Sequence, residues 1–137
     1  MRVAVVFFEG GNRGRTLGIV RGLAKGIESQ GQTVDIVDGD HDINTKLSIY
    51  EYIVVGTSAV NVSGGKISDS VGRFLANAGA VAGKRSFAFA VKKGFRVART
   101  LAAIMHVMEK EGLYLKYSQV ISSAAEAEAT GERLHID

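Results

Sequence analysis

Residues 9–16 of this 137-residue chain combine residue types that suit the binding of an anion. The segment holds three glycines, which let the backbone turn tightly, together with two arginines and the hydroxyl of Thr16. It lies between an apolar run, 3–8, and a helix-patterned run, 16–29. The first turn of a helix exposes unpaired N–H groups and the positive end of the helix dipole, so a phosphate is favoured there. We predict a phosphorylated ligand at this segment, the alternative being a simple turn.

Composition narrows the chemistry that the chain can perform. The absence of cysteine excludes disulfides, thiolate nucleophiles and cysteine-bound iron–sulfur clusters, so any redox chemistry must come from a bound cofactor. The net charge of +3 favours an anionic ligand, but its cations are spread along the chain with no basic helix face or zinc-finger spacing. We therefore expect no nucleic-acid partner.

The apolar segments predict a protein without a membrane span. The longest of them are strand-length, far shorter than a bilayer crossing needs, so we expect no membrane partner. The first residues enter a strand directly, without the charged, hydrophobic and cleavage regions of a secretory leader. A cytoplasmic location is the corresponding expectation.

Strand and helix patterns alternate along the chain. Apolar runs predict five strands, at 3–8, 33–37, 52–56, 86–91 and 114–121. Helical spacing of apolar residues follows the first, third and fourth of them. This alternation predicts one α/β domain over residues 1–137, with a doubly wound five-stranded parallel sheet and helices on both faces. The Ala/Glu-rich tail within 122–137 is either a short final helix or a frayed end.

Ligands of such sheets bind outside the carboxyl ends of the strands, where the strand order reverses. The loops after the first, third and fourth strands are therefore the candidate binding loops. The lysine pair after the fourth strand either contacts a ligand or is solvated surface. The candidate residues are Gly11, Asn12, Arg13, Gly14, Arg15, Thr16, Thr57, Ser58, Ala59, Val60, Asn61, Val62, Lys92, Lys93, Gly94 and Phe95.

An acidic segment, Asp38-Gly39-Asp40-His41-Asp42, follows the second strand. Its carboxylates, together with Glu9, could be considered as metal ligands. Asp and Gly are also the residues that turns prefer, because they tolerate unusual backbone angles and bond to their own backbone. We favour the turn and predict no metal site.

Three segments together resemble the flavodoxin family. Residues 50–61 are similar to the apolar strand, Gly-Ser/Thr pair and flavin-flanking loop of that family, residues 65–75 look like the helix that follows, and residues 83–90 resemble the entry to its fourth strand. The resemblance implies the flavodoxin-like strand order 2-1-3-4-5. It also implies FMN as cofactor and a redox function, either as an electron carrier or as a small FMN-dependent oxidoreductase with no catalytic side chain.

The same resemblance assigns roles to the candidate loops. The family's phosphate loop usually contains Thr/Ser-x-Thr-Gly-x-Thr; Gly14-Arg15-Thr16 matches its Gly-x-Thr end, while Arg13 stands in place of a hydroxyl residue. An arginine can hold a phosphate with two hydrogen bonds. The loops after the third and fourth strands would flank the flavin ring. The chain has no Trp, and residues 57–64, after the third strand, contain no aromatic residue. The aromatic candidate is therefore Phe95, in the loop after the fourth strand.

Two hypotheses follow. In the first, the chain is an FMN-binding flavoprotein that transfers electrons to a redox protein partner or reduces a small acceptor. In the second, it keeps the scaffold without flavin and binds another phosphorylated ligand or a protein partner. A homodimer is a further expectation if the tail forms a helix with an apolar face.

Overall fold

Five parallel strands form one sheet in the order β2-β1-β3-β4-β5. The structure is a computed structural model in which residues 1–9, 13–59, 67–92 and 96–136 are described. The strands are β1 (Arg2–Phe8), β2 (Thr33–Asp38), β3 (Tyr52–Thr57), β4 (Arg85–Val91) and β5 (Tyr114–Ile121). The predicted number and order of strands are confirmed.

Helices cover both faces of this sheet, as predicted. They are α1 (Arg13–Glu28), α2 (Ser70–Ala76), α3 (Val97–Lys110) and α4 (Ala124–Arg133). Apolar residues of α1 and α4 share one core cluster with one face of the sheet, and those of α2 and α3 share the other cluster with the opposite face.

Strand β1 shows why its sequence is apolar throughout. Val3, Val5 and Phe7 belong to the core under α1 and α4. Ala4, Val6 and Phe8 belong to the core on the opposite face. Successive strand side chains alternate between faces, so a strand covered on both sides needs a continuous apolar run.

Two helix boundaries differ from the predicted ones. Helix α1 begins at Arg13, three residues before the predicted start, because its first turn is polar and the apolar periodicity appears only afterwards. Helix α2 begins at Ser70, five residues after the start of the segment 65–75 that resembles the corresponding helix of the family. The hydroxyl of Ser68 accepts the N–H of Ser70 at 3.2 Å, a local hydrogen bond that competes with an additional helical turn.

The Ala/Glu-rich tail forms helix α4, which packs closely on α1. Ser123 caps it by accepting the N–H of Glu126 at 3.2 Å. A Cβ added to Gly26 would lie 2.2 Å from the carbonyl oxygen of Glu128, and one added to Gly131 would lie 2.5 Å from that of Leu23. Glycine therefore permits the two helices to approach at this distance.

Candidate functional site

The carboxyl ends of β1 and β3 meet the first turn of α1 at the backbone of Glu9. The carbonyl oxygen of Glu9 accepts a hydrogen bond from the hydroxyl of Ser58 at 2.6 Å, and the hydroxyl of Thr16 lies 3.4 Å from the same oxygen. These contacts bring together the residues that sequence placed in two separate candidate loops. They hold the backbone at the start of the predicted phosphate-binding segment, residues 9–16.

The N–H of Glu9 is held as well, by a residue that sequence analysis did not assign to the site. It donates to the carboxylate of Asp40 at 3.1 Å, and the hydroxyl of Ser70 donates to that carboxylate at 2.9 Å. Asp40 thus joins the end of β1 to the start of α2. Its position just after β2 is a signal in the sequence that places it at the same sheet edge as Glu9, without indicating which group it binds.

The acidic segment after β2 forms a hydrogen-bonded turn. The carboxylate of Asp38 accepts the N–H of Asp40 at 3.0 Å and contacts Nδ1 of His41 at 2.8 Å. This is the side-chain-to-backbone pattern by which Asp stabilises turns. Within the described ranges, no three His, Asp or Glu residues are grouped in a way that could hold a metal ion.

Thr16 lies in the first turn of α1 and is buried, with 1% of its surface exposed. The 3.4 Å separation from the Glu9 carbonyl is longer than the 2.5–3.0 Å of an ordinary O–H···O hydrogen bond, so this contact is weak. A buried hydroxyl whose acceptor among the described residues is only weakly bound is suited to donate to a ligand oxygen instead.

Arg15 reaches from the first turn of α1 to the ends of two other strands. Its guanidinium donates to the carbonyl of Lys92, directly after β4, and to that of Ser122, directly after β5, the latter at 3.2 Å. Both Arg15 and Lys92 are exposed. The carboxyl edge of the sheet therefore carries two cations beside the start of α1, whose first turn has no acidic residue.

The Gly-Thr-Ser sequence that ends β3 has a structural role at each position. A Cβ on Gly56 would lie 2.0 Å from the ring of Phe89, so only glycine fits under that ring. The hydroxyl of Thr57 lies 3.0 Å from the carbonyl oxygens of both Phe8 and Ser58, either of which can accept its proton. Thr57, Ser58 and the following Ala59 are all buried.

The structure thus brings Gly14, Arg15, Thr16, Thr57, Ser58, Ala59 and Lys92 to the carboxyl edge of the sheet, and Arg13 begins helix α1. The other predicted site residues lie outside the described residues, so their assignments stay predictions. They are Gly11, Asn12, Val60, Asn61, Val62, Lys93, Gly94 and Phe95. Among the described helices, none is both long and apolar enough to cross a bilayer.

Comparisons with solved structures support the fold along nearly the whole chain. Oxidised flavodoxin 1 of Bacillus cereus superposes with a TM-score of 0.74 at 12% identity, covering 98% of this chain and 100% of that one. A flavodoxin from the domain Archaea gives 0.66 at 17% identity, with 96% and 94% coverage.

The flavodiiron protein of Giardia intestinalis gives a TM-score of 0.68 at 15% identity, covering 97% of this chain and 35% of that longer chain. No family model and no curated protein sequence matches. Strand order, helix placement and these superpositions agree, and the chain has the flavodoxin-like fold.

Proposed function

We propose that this chain binds FMN at the carboxyl edge of its sheet and acts as a redox protein. The observation that carries the proposal is the buried, weakly bonded hydroxyl of Thr16 in the first turn of α1. The exposed N–H groups and positive dipole end of a 16-residue helix favour an anion at the same place. Thr16 also stands where the flavodoxin pattern has its final threonine.

Local charge supports a phosphate at this position. The guanidinium of Arg15 lies in the same helical turn, tied to the carbonyls after β4 and β5. No acidic side chain in the first turn of α1 opposes it. Opposite charges attract at short distance, so this cation favours a phosphate at the start of α1.

The residues of this chain would bind and position the cofactor rather than react with the substrate. Thr16, Arg15 and the N–H groups at the start of α1 would hold the phosphate, and the buried end of β3 would form one wall of the ring site. FMN supplies one- and two-electron chemistry when bound. The basic net charge favours an acidic redox partner, since complementary charge accelerates encounter and orients docking.

Titration with FMN, followed by quenching of flavin fluorescence, tests the proposal. Thr16→Val removes the hydroxyl at nearly constant shape, and Arg15→Gln removes the charge; each should weaken FMN binding by about 1–3 kcal/mol. Thr130→Val, at another buried helical threonine, and Arg21→Gln, farther along α1, should leave the affinity unchanged. A colourless protein that binds no FMN at micromolar concentration would refute the proposal.

The second candidate is a flavin-free module that binds a different phosphorylated ligand. It is favoured by Arg13 in place of a hydroxyl residue and by the absence of aromatic residues from 57–64. Riboflavin and inorganic phosphate, used as competitors in the same titration, separate the two candidates. Competition by riboflavin supports a flavin site, whereas competition by phosphate alone supports the module.

We also propose that the protein forms a homodimer. Helix α4 turns its glycine-containing face toward α1 of the same chain. Sedimentation of the FMN-saturated protein gives its oligomeric state directly.

A further inference from the structure

A cavity of about 440 Å³ lies at the end of the molecule opposite the proposed FMN site. It is bounded by the first residues of β3 and β4, by β5, and by the end of α4. Its lining includes the side chains of Tyr52, Arg85, Lys116, Tyr117, Arg133 and Leu134. Its volume is within the range that small-molecule sites occupy. Neither the fold nor the proposed FMN chemistry accounts for it.

The lining of this cavity is strongly basic. Arg85, Lys116 and Arg133 contribute three cations, and no carboxylate is among the described residues that line it. Within the described part of the chain, none of the three forms an ion pair within 4.0 Å. The ammonium of Lys116 also lies over the ring of Tyr114, 5.0 Å from its centroid. Several cations around one concave site raise the local concentration of anions.

A tyrosine with a buried hydroxyl is among the residues that line the same cavity. Tyr52 is fully buried, and its hydroxyl has no hydrogen-bond partner among the described residues. Burial raises the pKa of Tyr52 to about 12, and the nearby charge of Arg85 offsets part of that rise. Unsatisfied buried polar groups are rare in folded proteins, and a bound ligand or water is one of the explanations for them.

The cavity also offers aromatic surface. The ring of Tyr117 stacks on that of Phe87, with 5.5 Å between centroids and 14° between planes, yet 53% of Tyr117 is exposed. Leu134 adds an apolar side chain. The register of β5 shifts here, so that Leu115 pairs with Ser86 and Tyr117 with Phe87. Lys116, between them, is the additional residue at this shift in register.

We propose that this cavity binds a small organic anion with a ring-sized apolar body, independently of FMN. The guanidinium groups of Arg85 and Arg133 bind its carboxylate or phosphate, the hydroxyl of Tyr52 supplies a further hydrogen bond, and the ring of Tyr117 packs on its apolar body.

Titration of the full chain with benzoate and with phenyl phosphate, followed by amide NMR shifts in the presence of saturating FMN, tests this proposal. Shifts are expected at residues 116–117 and 133–135. Benzyl alcohol, an uncharged ring of similar size, should bind at least about tenfold more weakly, because charged hydrogen bonds contribute most of the affinity. Shifts confined to residues 13–16, or equal binding of the alcohol, would overturn the proposal.

Variants separate a specific site from general charge attraction. The double variant Arg85→Gln, Arg133→Gln should lower the affinity for benzoate at least about tenfold. The double variant Arg21→Gln, Arg99→Gln removes the same charge elsewhere and should change that affinity less than about twofold. Tyr52→Phe deletes one oxygen atom and should lower the affinity for benzoate several-fold. Equal losses in the two double variants, or full affinity in Tyr52→Phe, would contradict the assigned contacts.

Discussion

The hydroxyl of Ser58 donates a hydrogen bond to the carbonyl oxygen of Glu9, with 2.6 Å between the two oxygens. The bond joins the segments that follow β1 and β3, 49 residues apart in sequence. Because the N–H of Glu9 is held by Asp40, both polar groups of this residue's backbone are fixed. The predicted phosphate-binding segment therefore begins at a residue whose N–H and C=O are both held by side chains of other segments.

Ser58→Ala should lower both stability and FMN affinity. The variant removes the hydroxyl that donates to the Glu9 carbonyl at 2.6 Å, and losing one such hydrogen bond costs about 1 kcal/mol. The free energy of unfolding in urea and the FMN dissociation constant measure the two effects.

Ser29→Ala is the matched control for Ser58→Ala. The hydroxyl of Ser29 also donates to a carbonyl at 2.6 Å, that of Gly26, but at the far end of α1. This variant should leave FMN affinity unchanged. An equal loss of affinity in both variants would mean that the effect follows general destabilisation and not the position of Glu9.

The fold could be predicted from sequence because its signals are local. The apolar runs of the central strands mark a sheet covered on both faces, and the predicted limits of β5, Tyr114–Ile121, agree with the structure. The helical stripes identify the faces that pack on that sheet. The first turn of α1 was missed because polar residues at a helix start carry no periodic signal.

The contacts of the site could be predicted only in part. The sequence predicted that Thr16 and Ser58 lie at the same sheet edge, because they follow β1 and β3, which are neighbours in the predicted strand order. It did not indicate that Asp40 would bind the N–H of Glu9, or that Arg15 would bind the carbonyl of Ser122. Those bonds join residues 31 and 107 positions apart, and a side chain's choice among several backbone partners depends on packing that no local pattern encodes.

Asp35→Asn should reduce stability at neutral pH and have little effect in acid. The carboxylate of Asp35 accepts the hydroxyl of Tyr50 at 2.7 Å and pairs with Arg2 at 3.2 Å. The hydrogen bond from Tyr50, followed by the contacts with Arg2, lowers the pKa of Asp35 below its ordinary 3.8, although burial opposes the shift. Because the pKa is lower in the folded state, the carboxylate stabilises the protein at pH values above 3.8, and this stabilisation is lost as the pH falls through the lowered pKa.

Urea unfolding of wild type and Asp35→Asn between about pH 6 and pH 2 measures this difference. Asp35 is exposed enough that the loss at pH 6 should stay below about 1 kcal/mol. Asp42→Asn, in the exposed turn after β2, should unfold as the wild type does throughout. A gap between wild type and Asp35→Asn that widens toward low pH would contradict the assignment.

Tyr52→Phe should stabilise the protein without ligand, most strongly in alkali. The variant removes a buried hydroxyl that has no partner among the described residues, and leaving such a group unsatisfied costs about 1–3 kcal/mol. Because burial raises the pKa of Tyr52 to about 12 from its ordinary 10, the unfolded state loses its proton first. The wild type therefore loses stability, relative to the variant, as the pH rises from 10 to 12. Urea unfolding at pH 7 and pH 11 should show the larger gap at pH 11, and an equal gap would contradict the buried position of the hydroxyl.

Gly26→Ala and Gly18→Ala should have opposite effects on stability, although both glycines lie in α1. A Cβ at Gly26 would lie 2.2 Å from the carbonyl oxygen of Glu128 and 2.9 Å from the Cα of Gly131, so α4 would have to move. Overpacking of this kind costs about 1–3 kcal/mol. At Gly18 no atom of the described residues outside the local helix lies within 4 Å of the added Cβ, so alanine's helix propensity should stabilise the protein by about 0.5–1 kcal/mol. Thermal unfolding should give a lower Tm for Gly26→Ala and a higher one for Gly18→Ala; a raised Tm in both would show that α4 does not pack on α1 at this distance.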